Sequence, residues 1–219
     1  MRISIRPNKV IKSLIITEFT FWTGWGLVTP VFAIFVVEQI KGGSVFVVGM
    51  ASAVFWIARS VFRIPFGIFV DACPTEKDDY FVMVSGFLLA SLVPLGYIFT
   101  STPAQIYFLQ GVHGLGLAMA YSGLMPIFTK HLDKGKESTE WGLNGTLVGI
   151  GLGIAGAVGG WAVTRFGFNS VFVVVSVFGL IGTVILFALR NEIKGVFDNG
   201  FNTSLKSIFN GKKINPPDL

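Results

Sequence analysis

The chain has 219 residues, of which 52% are hydrophobic and 13% charged, and a mean hydropathy of +0.69. Soluble domains carry about one-quarter charged residues, so composition excludes that class. The formal net charge of +5 raises nucleic acid or a membrane surface as partners, and the placement of the basic residues decides between them. One cysteine, Cys73, and two histidines, His113 and His131, leave no intrachain disulfide, no metal site and no cofactor to expect.

Residues 1–12 are basic and lead into an apolar stretch over 11–37. A secretory leader has an apolar region of about 7–15 residues, so this longer stretch predicts a first membrane span. A helical span needs about 20 mostly apolar residues. Five further stretches qualify: 44–70, 80–99, 104–128, 142–163 and 170–189. They are continuously apolar, without the alternation of membrane β-strands. Polar breaks at 38–43, 71–79, 100–103, 130–141 and 164–169 separate them. Three parts result: a cytoplasmic N-terminus (1–10), a six-helix transmembrane domain (11–190) and a cytoplasmic basic tail (191–219). Residues 201–209 of that tail read either as a short amphipathic surface segment or as loose chain.

Orientation follows from Lys and Arg. With the N-terminus inside, thirteen basic residues fall on cytoplasmic segments and two, Lys41 and Arg165, on outer loops. Arg59 and Arg63 lie within the second helix. This bias accounts for most of the basic balance, so a nucleic-acid partner is not expected. The 71–79 break disagrees, being mostly acidic with Lys77 its only basic residue. The fold expected is all-α: a polytopic membrane protein of six transmembrane helices, arranged as two three-helix repeats, with both termini cytoplasmic. A glycine about one turn before a polar loop start recurs at Gly67 and Gly160, a faint echo of such a repeat.

Charges within the spans carry the most information, because each costs from about 3 kcal/mol upward unless paired or hydrated. Glu18 and Arg63 fall about 10 Å above the same membrane edge, at about 1.5 Å of rise per residue. Depth therefore permits a Glu18–Arg63 pair, and Arg59 stacks one turn deeper on the face of Arg63. Three readings stay open: a structural ion pair, a site for an anionic or polar substrate, or a proton-coupling carboxylate at Glu18. Gln110 and His113 form a second polar pair one turn apart on the fourth helix. His113 is either titratable or a neutral imidazole bonded to a neighbouring helix. Asn144, Tyr121 and Ser122 add hydrogen-bonding groups to a cavity. The fifth helix holds Gly145, Gly149, Gly151, Gly153, Gly156, Gly159 and Gly160. Such glycines serve either tight helix packing or a sliding contact. Pro30, Pro94 and Pro126 are positions at which kinks are expected. No Gly-rich phosphate loop, Ser-His-Asp order or HExxH spacing is present, so no enzyme is expected.

The segment Arg63-Ile-Pro65-Phe-Gly67 through Asp71 resembles the signature between helices 2 and 3 of the major facilitator superfamily, with Gly67 and Asp71 in place. Ala72 to Glu76 stand where that signature has basic residues. The stretch Gly156-Ala157-Val158-Gly159-Gly160 resembles the helix 5 signature of the family's antiporters, with Ala157 at its proline. Gly160-Trp161 through Arg165-Phe166-Gly167 is also similar to that family. The resemblance spans about residues 10–190 and implies secondary transport of a small solute by alternating access, with contacts from helices 1, 2, 4 and 5. It further implies twelve helices in two halves, with the aspartate matching Asp71 touching the opposite half. This chain then supplies one half in a cell membrane and pairs with itself or with a second six-helix half. Gln110 stands where proton-coupled members often carry arginine. The alternative is a non-transporting accessory subunit or a vestigial half.

Overall fold

The computed structural model describes residues 7–73 and 75–190, and among them every regular element is helical. The 191–219 tail expected from the sequence lies outside the described residues. The elements are α1 (Lys9–Val28), α2 (Phe32–Gln39), α3 (Val45–Ala72), α4 (Glu76–Tyr97), α5 (Pro103–His131) and α6 (Glu137–Leu189). The first expected span is divided into α1 and α2, which meet at 42°. Pro30 lies in the break: it has no N–H to continue the α1 ladder. Pro65, Pro94 and Pro126 lie inside helices that run on past them, so of the three expected kink sites only Pro30 coincides with a break between helices.

The last two expected spans form one element, whose 51-residue apolar stretch would rise about 77 Å against a bilayer core of about 30 Å. It is not straight. Gly167 has φ 78° and ψ 166°, a conformation outside the helical region that suits glycine. Packing shows that the chain reverses there. Before Gly167, Gly151, Ala155 and Gly159 meet Thr23, Gly26 and Leu27 in ascending order, so this half runs parallel to α1. After it, Val175 and Phe178 meet Gly24, and Gly182 meets Thr17, in descending order. The bent α1–α2 pair, α3, α4, α5 and the two halves of α6 thus make six crossings. The six-residue loop expected at 164–169 reduces to a glycine hinge.

Helix ends also extend past the apolar windows. Glu76, Asp78 and Asp79, expected in a loop, occupy the first turn of α4. Carboxylates there complement the positive end of the helix dipole, which accounts for the acidic character of that connection. Lys130, at the end of α5, reaches Asp79 at 3.3 Å.

The core lies where α1, α4, α5 and α6 meet. It is filled by Phe21, Phe87, Leu117, Phe128 and Phe172, all fully buried. Small residues set the closest approach: Gly86 lies on Gly116 and Ala120, and Gly123 on Asp79 and Met83. By contrast α3 buries only Val47, Ala51 and Val70. At the α1 start, Asn8 accepts from the Ile11 N–H at 3.0 Å as N-cap. Its amide donates to the His131 carbonyl at 2.6 Å and to Asp133 at 3.2 Å.

Two predictions follow from these contacts. A methyl at Gly86 would lie 2.2 Å from the Ala120 nitrogen, and one at Gly123 2.1 Å from the Asp79 carbonyl, whereas Gly149 has nothing within 4 Å. Gly86→Ala and Gly123→Ala are each expected to cost about 1–3 kcal/mol through overpacking. Gly149→Ala should be neutral or stabilising; thermal melting in mild detergent separates them. Asn8→Ala should cost about 1 kcal/mol from the cap alone. The Asn8 amide, then Lys136, holds the Asp133 carboxyl below its ordinary pKa. That contribution is present above the ordinary aspartate range and is lost as pH falls through the depressed value. The stability gap between wild type and Asn8→Ala should therefore narrow on acidification, without closing.

Candidate functional site

Glu18 is 3% exposed, within the α1 span. Both of its oxygens are held. Tyr121 on α5 donates its hydroxyl to Oε1 at 2.5 Å, and Asn144 on α6 donates Nδ2 to Oε2 at 2.7 Å. Trp22, four residues on along α1, donates Nε1 to the Tyr121 hydroxyl at 2.8 Å. One carboxylate thus joins three spans through donors that a lipid environment could not provide.

Tyr121 links this knot to α3. The Arg59 guanidinium lies over the Tyr121 ring at 5.1 Å and over the Trp56 ring at 5.3 Å, within cation–π range. Among the described residues Arg59 makes no ion pair with a carboxylate. Beside it is a cavity of about 340 Å³, bounded by α1, the start of α2, α3 and α5. Trp22, Trp25, Phe32, Phe55 and Trp56 give it aromatic walls; Arg59, Gln110 and His113 give it polar groups. The His113 ring is stacked on Trp25 at 3.9 Å, nearly parallel, and against Phe55 at 4.8 Å. Its Nε2 is buried without a hydrogen-bond partner in the described structure, as is Asn144 Oδ1. The bonded histidine considered from the sequence is here a stacked one. Both Gln110 and Asn144 are buried.

Five of the sequence candidates, Glu18, Arg59, Gln110, His113 and Asn144, therefore gather along one column. Arg63 does not join it. Its side chain is exposed, no ion pair links it to Glu18 among the described residues, and its backbone carbonyl accepts from Ser122 at 3.4 Å. Glu18 is instead held by Tyr121 and Asn144. The signature residues lie at the periphery. A methyl at Gly67 or Gly160 would meet nothing within 4 Å, one at Gly156 would lie 3.9 Å from the Gly26 carbonyl, and Gly159 packs tightly on Leu27. Asp71 is exposed at the last turn of α3, and Arg165 is exposed two residues before the Gly167 hinge. Trp22 and Trp25 were missed from sequence; the available signal was Trp22 at i+4 from Glu18, on the same helix face.

An apolar six-crossing bundle with a buried charge column and a cavity between spans defines a multi-pass membrane protein. Residues 14–215 match the model of the Major Facilitator Superfamily, and the chain belongs to that family. It is 25% identical over 177 residues to an "Uncharacterized transporter" of Buchnera aphidicola, covering 78% of this chain and 44% of that one. It is 24% identical over 178 residues to an "Uncharacterized MFS-type transporter" of Methanocaldococcus jannaschii, covering 81% and 45%. The chain thus spans about half the length of these relatives. The fold is similar to the crystal structure of peptide transporter POT in complex with sulfate, with a TM-score of 0.68 and 16% identity over 86% of this chain and 39% of that one.

Tyr121→Phe removes one of the two donors to Glu18 and the acceptor for Trp22. Leaving buried polar groups unpaired costs about 1–3 kcal/mol each. The variant should melt several degrees lower than wild type in nanodiscs, and Asn144→Leu should do the same.

Proposed function

We propose that this chain is one half of a secondary active transporter that moves a small solute by alternating access. The observation that carries the proposal is the pair of arginines on α3. Arg63 lies about 7 Å along the helix from its midpoint, in an exposed segment where Val61, Phe62, Ile64 and Ile68 are also exposed. A guanidinium left in lipid at that depth costs about 3 kcal/mol or more, so a polar surface or water covers it in the working protein. Arg59, one turn away, already borders a cavity. Together they support an arrangement in which α3 faces a water-filled path between two halves. The open glycines of α6, Gly142, Gly145, Gly149, Gly153 and Gly160, leave a second smooth surface for such a contact.

The complementary half is a second copy, a separate six-helix chain or further polypeptide of the same protein. Asp71, exposed at the end of α3, is positioned to touch it. Glu18 is the candidate coupling carboxylate, since it is a buried carboxylate within a span, bonded to two other spans. The localisation that fits is a cell membrane, with both termini on the cytoplasmic side.

Leucine substitution separates this reading from that of a non-transporting subunit. In proteoliposomes holding the complete assembly, uptake would be followed for labelled amino acids, sugars, organic acids and cations. Glu18→Leu, Arg59→Leu and Arg63→Leu should each lower gradient-driven uptake at least tenfold while the protein still inserts. Unchanged uptake in all three would remove the charge column from the mechanism. Absence of uptake by wild type for every solute would favour the accessory role.

A further inference from the structure

We infer that the α1–α3–α5 cavity binds a planar organic monoanion, an aromatic or heteroaromatic carboxylate. The inference rests on the transport reading for its biological meaning but not for its physical basis. Three observations carry it. First, Arg59 is a cation whose ring contacts are with Trp56 and Tyr121. The carboxylate nearest in the column, Glu18, is engaged by Tyr121 and Asn144, and Arg59 makes no hydrogen bond or ion pair among the described residues. The planar guanidinium fork therefore keeps N–H donors for a second carboxylate, which it engages bidentately.

Second, His113 lines the same cavity, is 95% buried by its 5% exposure, and leaves Nε2 unpartnered. A buried imidazole nitrogen without a partner is costly. In the ligand-free protein Nε2 has almost no accessible surface, so an acceptor oxygen on a ligand satisfies it once the ring turns toward the cavity with Nε2 protonated. Third, the remaining walls are aromatic. Trp22, Trp25, Phe32 and Phe55 present ring faces and edges that favour a flat apolar body through offset or edge contacts. A cavity of 340 Å³ filled at interior density of about 0.75 takes roughly 250 Å³ of molecule, which admits a one- or two-ring acid with room left for water. An organic cation would meet Arg59.

The test uses the purified full chain in nanodiscs and three near-isosteric quenchers of tryptophan emission: 4-nitrobenzoate, 4-nitrobenzamide and 4-nitrobenzylammonium. Trp22, Trp25 and Trp56 border the cavity and report occupancy. Saturable quenching by 4-nitrobenzoate is expected at a Kd at least tenfold below that of the amide, with no saturable quenching by the ammonium. Arg59→Gln should bring the acid and amide to equal Kd. Arg59→Lys should retain the preference with a several-fold weaker Kd, and guards against misfolding of the glutamine variant. His113→Phe keeps the ring stack and should weaken the acid several-fold. The inference is overturned if folded wild type shows no saturable quenching by the acid, if the ammonium binds as well, or if Arg59→Gln keeps the preference. Acid binding without uptake would sink the transport reading alone. Uptake of a sugar or cation without acid binding would sink this inference alone.

Discussion

A carboxylate in the middle of a membrane protein has to be solvated by the protein itself, and the bundle is arranged around that requirement at Glu18. Its two donors come from α5 and α6, so α1, α5 and the first half of α6 are fixed in mutual rotation as well as distance. Tyr121 then serves three partners at once: Glu18, Trp22 and Arg59. Hydrophobic burial cannot do this in lipid, where exposed and packed apolar groups differ little in free energy. Close glycine contacts bring the backbones together, and the polar knot specifies which faces meet.

The same logic places the cavity. Glu18 and Tyr121 close the bundle interior, while His113, Gln110 and Arg59 lie farther toward the end at which α1 stops. There α2 bends away at Pro30, and α3 packs mainly on α5. The space left is lined by aromatic rings and by a guanidinium whose nearest carboxylate is otherwise engaged. Arg59 therefore belongs to two systems, the structural column on one side and an open site on the other.

Much of this was legible in the sequence. Six apolar stretches, the charges at Glu18, Arg59 and Arg63, and the signature around Gly67 and Asp71 led to a six-span bundle and to its family. Apolar windows could not reveal that α4 begins at Glu76, because first-turn carboxylates look like a loop. Nor could they show that Gly167 alone turns the chain between the last two spans. Depth alone was not enough to find the partners of Glu18: Arg63 lies at a compatible height, yet Glu18 is bonded to Tyr121 and Asn144. Glycine count was similarly incomplete. Gly151 and Gly159 pack on α1, whereas Gly149, Gly153 and Gly160 face open space, a difference set by helix phase against neighbours that composition does not contain.

The central claim is that the arginine-bearing face of α3 is covered by a second six-helix unit and not by lipid. Ser60 and Gly67 lie one turn to either side of Arg63 on that face, Ser60 exposed and Gly67 with open space beside it in the single chain. A photo-crosslinking residue placed at either position, activated in native membranes, tests the claim directly. The account predicts a discrete protein adduct, either about twice the 23.7 kDa chain or one joining it to another multi-span unit. Labelling of lipid alone at both positions, with the chain remaining monomeric, would contradict it.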